Sequence, residues 1–243
     1  MRPLMPLLLA SLAGCASVPE GSRHPGDPWE SYNRAVYEFN DGFDRHLLKP
    51  ATEAYVAVTP DLVQTGVSNF FANLDDARNS VNNLLQGRPL AAGSDLLRLT
   101  LNTTLGIGGL VDVASELGLR KHNEDFGQTL GAWGLESGPY FMLPFLGPSS
   151  VRDTVGLYGD YYTGPISYLR DDETRWGLRA LYVIDLRADL LKVERVLGDG
   201  FHDRYASIRD AYLKRRESQI RNGELGAEQG QSLLDELKAL EDL

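Results

Sequence analysis

A single cysteine, Cys15, stands among the 243 residues. One thiol excludes an intrachain disulfide framework and a cysteine-based metal cluster. Positive charge is scarce too: 24 Lys and Arg face 34 Asp and Glu, for a formal net charge of −10. That balance argues against nucleic acid as a partner and gives no broad attraction to anionic lipid headgroups. The apolar stretch from Leu4 to Leu12 is interrupted by Pro6 and falls short of the roughly 20 residues that a bilayer-crossing helix needs. Enzyme signatures are missing as well: the chain holds no HExxH, no GxSxG and no Walker A loop. His24, His46, His122 and His202 share no ligand spacing, so neither a metal nor a cofactor is expected. Catalytic groups far apart in sequence stay open, because a triad need not be contiguous. The chain is read as a non-enzyme.

The one cysteine closes the run Leu12-Ala13-Gly14-Cys15 behind the short apolar segment, the pattern of a bacterial lipobox. Residues 1–14 are then a lipoprotein signal peptide, and Cys15 is the lipidated (palmitate-type) new N-terminus. One acyl chain alone binds a membrane marginally, whereas several chains anchor it stably. Ala16, rather than Asp, follows the cysteine and favours the outer membrane. An ordinary secretory signal with an accidental cysteine is the plain alternative. Residues 15–26, rich in Gly, Ser and Pro, form a flexible tether.

The hydrophobic fraction of 42% suffices for one domain with a core, and 25 Gly with 12 Pro imply short helices with frequent breaks. Asp27 is a suitable N-cap, with Pro28 at N1 and Glu30 at N3. Trp29, Tyr32, Val36, Phe39, Phe43 and Leu47 recur at helical spacing until Lys49-Pro50 ends the helix. Thr59-Pro60 opens a second helix carrying Leu62, Val63, Val67, Phe70, Phe71 and Leu74. A separate helix is expected from about Asp75 to Leu85, and Pro89 opens the next, broken by Gly106 to Gly109. Gln128 to Gly147, with four glycines and two prolines, reads as a loop or short hairpin with an apolar arm from Tyr140 to Leu146. Helices resume from about Arg175 to Gly198 and from about Tyr205 to Arg221. The domain spans 27–225, and 226–243 form an acidic tail.

Gly106-Ile107-Gly108-Gly109 follows a helix rather than a strand, so a turn explains it better than a phosphate loop. Asp75-Asp76 would sit at a helix start and favour its dipole. Asn79, Asn83 and Gln86 share a helix face. Neutral amides there fit either a wet channel for a lipid headgroup or interhelical hydrogen bonds and a solvated face. The arm from Tyr140 to Leu146 fits either the core or contact with lipid or a partner.

Several blocks together resemble the MlaA/VacJ family of outer-membrane phospholipid-transport lipoproteins. They are Asp27-Pro28-Trp29-Glu30-Ser31-Tyr32-Asn33-Arg34, Ser68-Asn69-Phe70-Phe71-Ala72-Asn73-Leu74, Leu101-Asn102-Thr103-Thr104-Leu105-Gly106-Ile107-Gly108-Gly109, Phe126-Gly127-Gln128-Thr129-Leu130-Gly131, and Gly138-Pro139-Tyr140 running into Leu143-Pro144-Phe145. The resemblance implies an all-α fold, a compact ring-like bundle of short amphipathic helices with a glycine-rich hairpin-like loop. It implies a lipid-anchored protein in the inner leaflet of the outer membrane, on the periplasmic side. Its channel removes mislocalised phospholipids from the outer leaflet and passes them to a soluble periplasmic carrier (MlaC-like), which maintains lipid asymmetry. A trimeric porin (OmpC/OmpF-like) is the implied membrane partner. Asn79, Asn83 and Gln86 become candidate channel lining, and Gly131, Gly134, Gly138 and Tyr140 a candidate gating loop. A structural or adaptor lipoprotein that moves no lipid is the alternative, and a hydrolase of envelope lipids the third reading.

Overall fold

Each short helix of this chain needs its own start, and most starts are legible in the local chemistry. The computed structural model describes residues 24–197 and 203–221. Cys15 and the expected signal peptide, most of the expected tether and the expected acidic tail lie outside the described residues. Helix α1 (Glu30–Phe43) passes through a π-helical turn (Asp44–Leu48) into α2 (Lys49–Val58). Then come α3 (Asp61–Leu85), α4 (Pro89–Thr104), the single turn α5 (Val113–Glu116) and α6 (Phe126–Ala132). An antiparallel hairpin, β1 (Tyr140–Leu143) and β2 (Gly147–Ser150), pairs Tyr140 with Ser150 and Leu143 with Gly147. Helix α7 (Val151–Thr163), a 3-10 turn (Pro165–Tyr168), α8 (Asp172–Leu197) and α9 (Arg204–Ile220) complete the order. The fold is mostly helical, with the hairpin as the sheet among the described residues.

Four sequence expectations change. Pro50 does not end the first helix. It sits in the first turn of α2, and the wider π turn before it absorbs the bond that proline cannot make. Asp27 does not cap α1, whose N-cap is Trp29 without a side-chain bond. Instead Asp27 is buried, accepting from Asn33 (Nδ2–Oδ1 2.8 Å) and from the Tyr205 hydroxyl. The two helices expected between Thr59 and Gly87 are one 25-residue helix. Asp75 and Asp76 therefore sit in its middle rather than at a start. Finally, Gln128 to Ala132 belong to α6, capped by the Asp125 side chain on the Gln128 N–H at 2.8 Å.

Neighbouring elements form a closed circuit: α1 packs on β1, β2 on α9, α9 on α6, α6 on α3, α3 on α8, and α8 on α2, which continues α1. Helices α6 and α7 approach so closely that a Cβ on Gly156 would lie 2.5 Å from the Gly127 nitrogen. Two asparagines seven residues apart on α1 dock the hairpin through its backbone. Asn33 accepts from Met142 N–H (2.8 Å) and donates to the Tyr140 carbonyl (3.2 Å). Asn40 accepts from Phe145 N–H (2.7 Å) and donates to the Leu143 carbonyl (2.9 Å).

Polarity is inverted relative to a protein designed for water. Among the described residues, 9 hydrophobic side chains are buried against 24 polar or charged ones, while 32 large hydrophobic side chains are exposed. Helix α4 shows the pattern plainly. Asp95, Arg98 and Asn102 are its inner face, and Leu90, Leu96 and Leu97 are 90%, 55% and 47% exposed. Charged residues are almost never fully buried unless paired, and large apolar patches on a surface mark contact with a membrane or a partner. No helix among the described residues is long and apolar enough to cross a membrane.

Candidate functional site

Burying this much charge requires that nearly every ion find a partner, and three clusters meet that demand. Arg98, 1% exposed, donates to Asp112 (3.1 and 3.0 Å), the Ser115 hydroxyl (3.0 Å) and the Leu119 carbonyl (2.6 Å), and its Nε faces Asp76 at 3.3 Å. Lys121 closes on Asp76 from the other side at 2.8 Å. Burial pushes Asp112 up, but bonds from Ser115, Asn102 and Arg98 outweigh it and hold the carboxyl at about 2. Arg216 clamps Asp125 and Asp153 together, with Nε–Oδ2 2.9 Å and Nη2–Oδ1 2.8 Å to Asp153. Burial raises Asp153 too, and Arg216 with the Tyr212 hydroxyl brings it down to about 2. Arg209 lies 3.4 Å from Asp27 in the third cluster, beneath Tyr205.

The expected channel-lining amides belong to a fourth cluster, where each has protein partners. Asn79 and Asn83 are fully buried with both ends of each amide engaged. Asn79 donates to the His122 carbonyl (2.7 Å) and accepts from Glu124 N–H (2.9 Å). Asn83 donates to Asp95 (2.8 Å) and accepts from Arg88 (3.2 Å). Half-buried Gln86 donates to Glu124 (3.0 Å) and to the Thr129 hydroxyl (3.2 Å). Asn79 and Gln86 thereby hold the segment before α6 against α3, and Asn83 ties α3 to α4 through Asp95.

The four positions of the expected gating loop separate. Gly131 lies within α6, where a Cβ would meet Ile220 at 3.0 Å and Arg152 at 3.1 Å. Tyr140 is fully buried in the small hydrophobic core with Val36, Met142 and Tyr205. Gly134 (φ 91°) and Gly138 (φ 66°) are exposed in the connection between α6 and β1. The apolar arm divides likewise: Tyr140 and Met142 point inward, while Phe145 and Leu146 at the tip are 63% and 70% exposed.

A cavity of about 610 Å³ opens where α1, α2, the hairpin, α8 and α9 meet. Its wall mixes apolar groups (Met142, Pro148, Leu190, Leu191, Ile208) with ions of both signs: Asp41, Asp44, Glu53 and Glu194 against Arg45, Lys49, Arg187 and Arg204. Arg187 makes a two-pronged pair with Asp44 (2.7 and 2.8 Å) and reaches Glu194 at 3.1 Å. The cavity therefore offers apolar surface and fixed charge side by side, which suits an amphiphile. No group of three or more His, Cys, Asp or Glu side chains among the described residues is placed to hold a metal. Sequence reasoning missed this site because its members come from segments about 150 residues apart. Asp41 and Asp44, acidic residues beside the aromatic stripe that ends α1, were the available signal.

Comparison with known proteins places these features in context. A family model described as MlaA lipoprotein matches residues 25–219. The intermembrane phospholipid transport system lipoprotein MlaA of Escherichia coli is 34% identical over 239 residues, covering 95% of this chain and 94% of that protein. Its namesake in Haemophilus influenzae is 29% identical over 252 residues, covering 97% of each. A solved structure from work on the structural basis for maintenance of bacterial outer membrane lipid asymmetry superposes with a TM-score of 0.71 at 35% identity, covering 81% of this chain and 99% of that one.

Proposed function

Because the chain belongs to the MlaA lipoprotein family, we propose that it is a phospholipid-transport lipoprotein that maintains outer-membrane lipid asymmetry. The observation that carries this reading is the inverted polarity together with the amphipathic cavity. In water each exposed Leu forgoes about 1.5–3 kcal/mol of apolar transfer, whereas against acyl chains it forgoes little. A phospholipid headgroup moving through hydrocarbon meets a barrier of desolvation, which a charged, water-accessible wall lowers. The cavity supplies that wall and keeps apolar surface beside it for the chains.

In this reading the acylated Cys15 tethers the body to the inner leaflet of the outer membrane, with its apolar face among the lipid chains. Phospholipid misplaced in the outer leaflet enters the cavity and leaves to a soluble periplasmic carrier. A trimeric porin is the proposed membrane partner, seated against the same apolar face. Transfer makes and breaks no covalent bond, so no catalytic residue is assigned. The hairpin borders the cavity through Met142, Gly147 and Pro148. With Tyr140 fixed in the core, gating falls to the tip at Phe145 and Leu146 and to the connection held at Gly134 and Gly138.

The test is transfer itself. Full-length protein reconstituted into vesicles carrying labelled phospholipid should accelerate its passage to a soluble carrier. Unchanged transfer would favour the adaptor reading, and release of free fatty acid or headgroup would favour a hydrolase.

A further inference from the structure

Charge around the cavity is mostly self-cancelling. Asp41 pairs with Arg45, Asp44 with Arg187, and Glu194 with Arg187 and Arg204. Two ions of the wall remain: half-buried Lys49 and exposed Glu53, neither of which makes an ion pair or side-chain hydrogen bond among the described residues. They stand four residues apart on α2, hence on one face, with Cβ atoms about 5–6 Å apart. Arg187 also lines the wall: the residue is 7% exposed, and its Nη1 is buried without a hydrogen-bond partner. A buried guanidinium nitrogen left unpaired is costly, and native proteins resolve such groups with a partner.

We propose that this cavity reads both charges of a zwitterionic phospholipid headgroup, taking the phosphate at Lys49 on the Arg187 side and the ammonium at Glu53. The inference rests on the phospholipid-transport reading and adds the headgroup class. A phosphate oxygen satisfies Lys49, since cations bind phosphate oxygens through short charge-assisted bonds. The ammonium one turn away meets Glu53. A phosphoglycerol headgroup offers Glu53 only neutral hydroxyls, which can donate hydrogen bonds but do not cancel its charge. Selection between lipids then comes from the charge pairing that only the ammonium supplies.

The experiment uses full-length protein in detergent, incubated with mixed micelles of phosphoethanolamine- and phosphoglycerol-headed lipids in equal amounts with identical chains. Bound lipid is extracted and quantified by mass spectrometry. Wild type should be enriched in the phosphoethanolamine lipid. Glu53→Gln should lower that enrichment about threefold without lowering total lipid, the scale of one partly screened charge contact. Lys49→Gln should reduce both lipids about threefold, and Glu53→Asp should keep the preference. Neither parent side chain has a protein partner to lose, so an unchanged circular-dichroism melt should accompany each variant. Lipid bound with equal headgroup ratios in wild type and Glu53→Gln would overturn this inference and leave the transport reading intact. No lipid bound by wild type would overturn both.

Discussion

Replacing Arg98 by Ala should cost more stability than removing a leucine from the same helix, the reverse of the order in a water-soluble helix. Arg98 is 1% exposed and serves two carboxylates, one hydroxyl and one carbonyl. Its loss leaves Asp76, fully buried, with Lys121 alone, and strips Asp112 of its two-pronged partner. Breaking a buried ion pair by removing one member costs about 3–5 kcal/mol. Asp112 limits the damage, since the Ser115 and Asn102 bonds stay. Leu96, two residues away on the opposite face and 55% exposed, should cost under about 1 kcal/mol as Leu96→Ala, against the 2–5 kcal/mol of a core leucine. Chemical unfolding in mild detergent, followed by tryptophan fluorescence, gives both values. Arg98→Ala with Asp76→Asn should recover part of the loss, because the stranded charge is gone. A cost for Leu96→Ala equal to or above that of Arg98→Ala would refute the inverted core.

Two further outcomes follow from particular groups. Burial, with Asp125 nearby, raises Asp160 to about 6 from an ordinary 3.8, against the opposing bond from Phe126 N–H. The folded state then binds the proton more tightly than the unfolded one, so this group's stabilisation is full below about pH 3.8 and is lost as pH rises through about 6. Asp160→Asn, which keeps an acceptor for Phe126, should raise the melting temperature at pH 8 and change it little near pH 4; an equal shift at both would count against the assignment. Gly156→Ala should cost about 1–3 kcal/mol or more by forcing α6 from α7, since its Cβ would sit 2.5 Å from the Gly127 nitrogen. A melt within experimental error of wild type would contradict that packing.

Helices with clear chemical punctuation were legible before the structure. Pro89 opens α4, and α8 and α9 fall within a few residues of their expected limits. Pro50 misled because a π turn can accommodate a proline that an α-helix interior cannot. Leu90, Leu96, Leu97, Leu101 and Leu105 recur at helical spacing along α4, but spacing does not say which medium they face. An amphipathic helix has the same spacing in water with leucines inward as in lipid with leucines outward. What decides is whether the polar face can be neutralised, and the partners lie far off in sequence: Arg216 with Asp125, and Arg187 with Asp44. The amides Asn79 and Asn83 were found by spacing, yet their partners lie elsewhere in the chain: Asn79 meets the segment from His122 to Glu124, and Asn83 meets Asp95 and Arg88.

Photocrosslinking most directly tests whether the cavity carries phospholipid. A photoreactive residue replacing Ile208, on the cavity wall, is compared with one replacing Leu90, on the apolar exterior, and one replacing Asn83, in the buried interior. After irradiation in native membranes, intact phospholipid should be found on positions 208 and 90 and not on 83. Adducts at 90 without any at 208 would leave the protein embedded in lipid but contradict a cavity that takes it up.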